Sequence, residues 1–444
     1  MMTTGVSGRI AHAFINSKLT PLLMAGALAV GLFSTYLTPS EEEPQIIVPM
    51  ADIFVQYPGS SAKEVETKIT RPLEKVVSAI HGVEYVYSTS MPGQAMLIVR
   101  YYVGEDKERS LFNLYNEIQK NMDKFPQGMM PPFIKSKSID DVPILSLTLW
   151  SEDVDDHTLR RVGTELAAEI DKIHDVAETR VIGGRGRQIR VTLKPEKLAG
   201  YNLDPFAIVQ QLSAGNKQTQ AGRFSNADRE YLVEAGSFFE SADDVGNLVV
   251  GAYHGSPVYL RNVAEVVDGM EEVKDYVRYG TALSAAGASQ RDLDYPAVTI
   301  SVAKRKGADA HRIANQILDK TEQLKGKLIP SNINVSVTRN YGETSSEKVN
   351  ELLKHLSIAI LAVTLLVTLT MGWRSGLVIF ASVPVTFALT LFVYYLFGYT
   401  LNRITLFALV FVTGIVVDDS IIVVENMHRH FKMKRMPFLQ AAIA

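Results

Sequence analysis

The sequence predicts a membrane protein: an α-helical transmembrane bundle, four spans here, joined to a large α+β domain of split β-α-β modules with an inserted subdomain. Three observations predict it. Stretches at residues 19–37, 352–371, 376–397 and 401–424 are apolar over the roughly 20 residues, at ~1.5 Å each, that a bilayer requires. The segment of about 310 residues between the first two is too long for a linker and alternates strand-like with helix-like patterns. Its strand and helix order partly recurs further along, around an interruption.

Residues 1–18 carry Arg9 and Lys18 and lead into the first span, 19–38. A signal peptide is the competing reading there. The apolar core exceeds the usual ~7–15 residues, no A-x-A site follows and TPSEEEP comes next, which favours a retained anchor. Within 39–140, VPMADIFVQYP reads as a strand, SAKEVETKITRPLEKVVSAI as a helix, VEYVYSTS and AMLIVRYYV as strands, and RSLFNLYNEIQKNMDKF as a helix. That β-α-β-β-α order marks a split β-α-β, or ferredoxin-like, module. A second module opens in 141–186 with PILSLTLW, HTLRRVGTELAAEIDKI and TRVIG. It closes in 295–345 with AVTISVAKR, DAHRIANQILDKTEQL and NINVSVTRN. Residues 187–294 interrupt it with short strands such as EYLVEAG, NLVVGAY and SPVYLRNV, a small α+β subdomain. Spans at 346–371, 375–397 and 401–426 follow, and 427–444 reads as a basic cytoplasmic segment running into the start of another helix.

Basic residues set the topology. Arg9 and Lys18 precede the first span, Arg374 sits in the GWRS turn, and Arg429, Lys432, Lys434 and Arg435 follow the fourth. By the positive-inside rule these places are cytoplasmic, and the long segment lies outside. Trp373, Tyr394, Tyr395 and Tyr399 fall at the expected membrane interfaces. A net charge of -3 gives no support for nucleic acid as a partner. With no cysteine there is no thiolate chemistry, and the nine histidines show no HExxH pattern, so neither an enzyme nor a metal or cofactor site is expected. The GGRGR stretch at 183–187 lacks the third glycine of a dinucleotide fingerprint and reads as a strand-to-strand turn. Met129 and Met130 are adjacent soft donors, but two thioethers do not make a coordination shell, and packing accounts for them.

The sharpest anomaly is GIVVDDSIIVVEN, residues 414–426. An Asp at the centre of a membrane helix costs about 2.5–3.5 kcal/mol, and Asp418 and Asp419 are adjacent. They lie about ten residues, roughly 15 Å, before the basic cluster, too deep to reach the surface. Close carboxylates in low dielectric titrate jointly and push one pKa up, which suits a proton relay. An aspartyl protease needs a second catalytic Asp on another span, and the first three spans hold none. The interiors of the four spans offer no lysine or arginine, so the counter-charge must come from elsewhere. Glu425 and Asn426, two turns on, either admit protons from the cytoplasmic side or simply end the helix.

This span resembles the fourth transmembrane helix of the resistance-nodulation-division (RND) efflux transporters, in particular the hydrophobe/amphiphile (multidrug) efflux branch. EEEPQI, VQYPGSSAKEVETKITRPLE, VEYVYSTSMPGQA, LKPEKLAGYNLDPFAIVQQLSAGNKQTQAG and LNRITLFALVFVTGIVVDD extend the likeness along nearly the whole chain. The resemblance implies proton-driven antiport of hydrophobic or amphiphilic compounds, such as drugs, across the Gram-negative envelope. It also implies an inner-membrane homotrimer working with a periplasmic adaptor and an outer-membrane channel. By position, Asp418 and Asp419 match the relay aspartates, the two modules the porter subdomains, and the insertion part of a docking domain. The strands at Ile144, Leu147, Val181 and Ile182 become candidates for the substrate pocket, aliphatic where such pockets are usually Phe-rich. KRKGADAH has Asp309 where Asn is usual. Members of the family have a second half carrying a membrane-embedded lysine, so the chain is expected to be an N-terminal fragment that does not pump alone. Heavy-metal export by the same fold, or a non-transporting scaffold or protein-translocation subunit, are the alternatives.

Overall fold

In a computed structural model describing residues 6–15, 17–41, 44, 46–281, 294–433, 437, 439 and 442, helix α1 (Val6–Ile15) precedes the first apolar helix, α2 (Leu19–Leu37). The Thr38 hydroxyl and N–H both donate to the Ser34 carbonyl, at 2.7 and 2.8 Å, and so satisfy a helix-end acceptor. Glu42, Glu43 and Gln45 of EEEPQI, and Lys434 and Arg435 of the basic cluster, lie outside the described residues, as does most of the helix expected to start in MPFLQAAIA.

The first module begins with β1 (Met50–Gln56). A capping box between Ser61 and Glu64 opens α3 (Ala62–Val65), which continues through a π turn (Glu66–Thr70) into α4 (Arg71–Ser78). Then come β2 (Val83–Met91), β3 (Gln94–Tyr101), α5 (Lys107–Lys120) and β4 (Phe133–Lys137). The sheet order is β2-β3-β1-β4, with every neighbouring pair antiparallel. β1 and β2 therefore run parallel with β3 between them, which is a split β-α-β. Ile53, Leu73, Leu97, Tyr101 and Leu114 form its dry core beneath the helices.

The second module opens with β5 (Leu145–Trp150), α6 (Asp156–Ile170) and β6 (Val176–Ile182). The chain then leaves through β7 (Arg187–Leu193), α7 (Pro195–Tyr201), α8 (Pro205–Gly215), β8 (Thr219–Asn226) and β9 (Arg229–Ala235). It continues through α9 (Ala242–Gly246), β10 (Val249–Tyr253), β11 (Ser256–Tyr259), α10 (Leu260–Val263) and β12 (Ala264–Met270). β12 zips back along β7, so the excursion departs and returns at one place, where Arg187 and Asp268 form an ion pair. Leu198, Ile208, Val250, Leu260 and Val263 give it a small core of its own. One boundary needs correction. β13 (Arg278–Tyr279) falls within 187–294 yet pairs with β14 (Tyr295–Lys304) of the second module, so the insertion's paired body ends at Met270.

After α11 (Ala310–Leu324) and β15 (Asn334–Asn340), the second sheet has the order β6-β14-β5-β15, again antiparallel throughout. Its core lies between this sheet and α6 and α11. The second membrane helix, α12 (Tyr341–Met371), begins directly at the end of β15 with Asn340 as its cap, rather than at 346. At ~1.5 Å per residue its 31 residues reach about 46 Å, so its first polar turns belong to the module and the rest to the bundle. α13 (Trp373–Leu396) packs against α2, α12 and α14 (Arg403–Met433). α14 runs on past 426, so His428 and His430 lie on a helix rather than in a separate segment. All four of these long helices are apolar enough to cross a membrane.

Candidate functional site: a membrane carboxylate pair and a cleft on the second module

Asn402 fixes the start of α14. Its Oδ1 accepts the N–H groups of Ile404 and Thr405, each at 3.0 Å, and its own N–H donates to Thr405 Oγ1. Further along, Leu406, Leu409 and Val417 are buried against α12 and α13, Val424 is also buried, and the Ser420 hydroxyl lies 3.2 Å from that of Ser382. Taking Val417 as the inward direction, Asp418 and Asp419 stand about 100° and 200° around the helix. Both are exposed, on the same side as Phe407, Phe411, Ile415 and Ile422. Neither carboxylate has a hydrogen-bond or ion-pair partner among the described residues. Glu425 and Asn426 repeat their directions two turns later and are also exposed. The four helices thus present the acids on the face they leave open.

The second site lies on the second module, where β6 turns into β7. Gly183 and Gly184 take φ values of 83° and 69°, making GGRGR the strand-to-strand turn expected from the sequence. A Cβ on Gly184 would stand 2.6 Å from the Asp156 carbonyl, so the turn is pressed onto the start of α6. Arg185 grips the Asp156 carboxylate from Nε and Nη2 at 2.8–2.9 Å, which raises its own pKa. Asp155 caps α6 by accepting the Thr158 N–H at 2.7 Å, and that bond holds its carboxyl below the usual range. Residues 271–279 cross over this turn. The Glu271 N–H donates to the Gly186 carbonyl and the Val277 carbonyl accepts the Ala297 N–H.

Two adjoining clefts of about 350 and 280 Å³ open along this crossing. They share Gly184, Arg185 and Asp275, and Tyr276 stands 78% exposed at the rim. Their lining mixes apolar surface with both signs of charge, which suits an amphiphile. The four pocket candidates divide here. Val181 and Ile182 line the smaller cleft, whereas Ile144 and Leu147 are 6% and 0% exposed within the module core and line neither. Alternation explains Leu147: Leu145, Leu147 and Leu149 face the helices, so Ser146, Thr148 and Trp150 occupy the other face of β5, while Ile144 precedes the strand and joins the same core.

That other face carries groups the sequence reading passed over. Thr148 Oγ1 lies 2.9 Å from Thr299 Oγ1 and 3.1 Å from Thr338 Oγ1, and Trp150 Nε1 donates to Ser336 Oγ at 2.9 Å. Trp150 is stacked on Tyr279 at 4.6 Å and on Tyr295 at 5.3 Å. The polar alternation in LSLTLW was the available signal. Met129 packs on the first module's core while Met130 is 48% exposed, so the two thioethers serve different surroundings.

Comparison with known proteins adds the following. The model of the AcrB/AcrD/AcrF family matches residues 10–444. The chain is 28% identical over 425 residues to the multidrug resistance protein MdtC of Yersinia enterocolitica (serotype O:8 / biotype 1B), covering 95% of this chain and 40% of that protein. The MdtC proteins of Yersinia pseudotuberculosis (serotype O:1b, strain IP 31758) and Yersinia pestis (bv. Antiqua, strain Angola) match with the same identity and coverage. The chain therefore spans about two fifths of the length of these relatives.

Proposed function

The chain belongs to the AcrB/AcrD/AcrF family, and from that membership we propose that it supplies the proton-accepting membrane helix and two substrate-handling modules of an export pump. The carrying observation is the pair Asp418 and Asp419, placed on a membrane helix face that α12 and α13 leave uncovered. Two acids against lipid would be costly, so that face is covered by protein, a second helical half bearing the missing cation. Protonation from one side and release to the other then switches the helix between two positions. Each proton crossing 100 mV supplies about 2.3 kcal/mol for that change.

In this reading the cargo is a hydrophobic or amphiphilic compound, taken up in the clefts beside Val181 and Ile182, and no bond in it is made or broken. The name of the MdtC relatives, multidrug resistance protein, supports that cargo class. The split β-α-β units act as porter modules in the periplasm, above an inner membrane crossed by α2, α12, α13 and α14. The β7–β12 insertion acts as a docking subdomain toward an adaptor and outer-membrane channel. The β8–β9 hairpin supports assembly into a trimer, since every residue in both strands is exposed.

The test is Asp418→Asn and Asp419→Asn, singly, in the full protein that carries this chain. Each should abolish proton-dependent export of a fluorescent amphiphile while leaving the amount of protein in the membrane unchanged. Export surviving in both variants would exclude the relay.

A further inference from the structure

A buried ion pair lies far from the aspartates, where the membrane helices meet the second module. Lys304, at the end of β14, is 9% exposed and pairs with Glu41, 4% exposed, four residues past the end of α2. Thr400, in the turn between α13 and α14, donates its hydroxyl to the other Glu41 oxygen at 3.2 Å. The backbone repeats the same grip. The Glu41 N–H donates to the Leu401 carbonyl at 3.0 Å and the Leu401 N–H to the Pro39 carbonyl at 2.9 Å. On its other side, the Ser40 N–H donates to Asp309 Oδ2 at 2.9 Å, and Asp309 is the cap of α11. Residues 39–41 are thus clasped between the second module and the turn whose next residue, Asn402, caps the aspartate helix.

Burying two charges is hard to justify for stability alone, since apolar replacements of similar volume are often as stable. It does fix one arrangement of the parts it joins. We propose that Lys304, Glu41 and Thr400 form the contact through which movement of α14 reaches the second module. They are positioning residues for the proton-driven cycle, and this role rests on the relay reading above.

These 444 residues hold no cysteine, so once any cysteine elsewhere in the full protein is replaced, spin labels are placed on the full protein in nanodiscs, diluted with unlabelled copies. One pair, Tyr399→Cys with Lys306→Cys, spans the junction. A second pair, Phe112→Cys with Gln316→Cys, measures the first module against the second. Glu41→Gln leaves a buried lysine alone and can unfold the protein, so Glu41→Gln/Lys304→Gln and the exchange Glu41→Lys/Lys304→Glu are included. The neutral pair should broaden the junction distance, and the exchange should narrow it again. Asp418→Asn/Asp419→Asn, imitating protonation, should shift the module distance when the contact is intact and fail to shift it in the neutral pair. A junction distance unchanged by the neutral pair, or a module shift that survives it, overturns the proposal and leaves the relay standing. If the aspartate substitutions move nothing even with the contact intact, the relay reading itself falls, and with it the transmitting role.

Discussion

Tyr101 shows how one side chain ties a module together. It is wholly buried at the end of β3, and its hydroxyl donates to the Ser110 carbonyl on α5 at 3.1 Å. Tyr101→Phe should lower stability by about 0.5–1.5 kcal/mol, read from denaturant unfolding, because only the hydrogen bond is lost and the ring still fills its space. Burial pushes the Tyr101 phenol up to about 12. The folded state therefore holds this proton more tightly than the unfolded chain, whose tyrosines titrate near 10. Stability from this source is complete below about pH 10 and drains away as the pH climbs from there toward 12. The Phe variant should lack that share of the alkaline loss, and a variant with the same alkaline profile would contradict the assignment. Gly184 is the opposite kind of residue, fixed by backbone. Its φ of 69° and the Asp156 carbonyl 2.6 Å from any Cβ make Gly184→Ala costly, by about 1–3 kcal/mol, and should deform the cleft beside it.

At the scale of elements, the packing of α2 on α13 depends on Gly31, where a Cβ would come within 2.3 Å of Ala388 Cβ and 2.4 Å of its Cα. Gly31→Ala should force the helices apart and cost about 1–3 kcal/mol, measured by thermal unfolding in detergent. Gly26→Ala, with open space around it, is the control and should be neutral or mildly stabilising. This contact was not legible in the sequence, because a small residue in an apolar helix does not say which neighbour it faces. Spans and strands were legible, since hydropathy over twenty residues and alternation over six are strong local signals. The joins were not: α12 starts at Tyr341 and α14 continues to Met433 at least, because polar helical turns continue an apolar helix without any change of backbone. β13 was hidden for a related reason, being only two residues long and defined by its partner on β14. Asp418 and Asp419 stood out because charge in an apolar run is conspicuous. The cleft did not, since Leu147 could be placed on a face only once the parity of β5 was known, and Ile144, just ahead of the strand, is buried by the packing of its module.

For the whole molecule, the β8–β9 hairpin carries the clearest consequence. Phe224 and Tyr231 stack at 5.1 Å on it, and Phe224, Tyr231, Leu232 and Val233 are 55%, 44%, 55% and 41% exposed. A lone two-stranded ribbon is marginal in water, and clustered exposed apolar groups mark an interaction surface. In the trimer reading, the ribbon is an arm that one copy lays on the next. The insertion that bears it has its own core and returns to its starting point at Arg187 and Asp268, so the arm can be altered without touching either module. Phe224→Ala/Tyr231→Ala should therefore weaken assembly by about 2 kcal/mol or more per interface, the scale of an aromatic anchor, while thermal unfolding of the modules stays in place. Native mass spectrometry in detergent would read the change as a loss of higher oligomers at protein concentrations where the unaltered chain retains them. An unchanged oligomer distribution would remove the hairpin from the contact between copies, and the exposed aromatics would then have to serve a different partner.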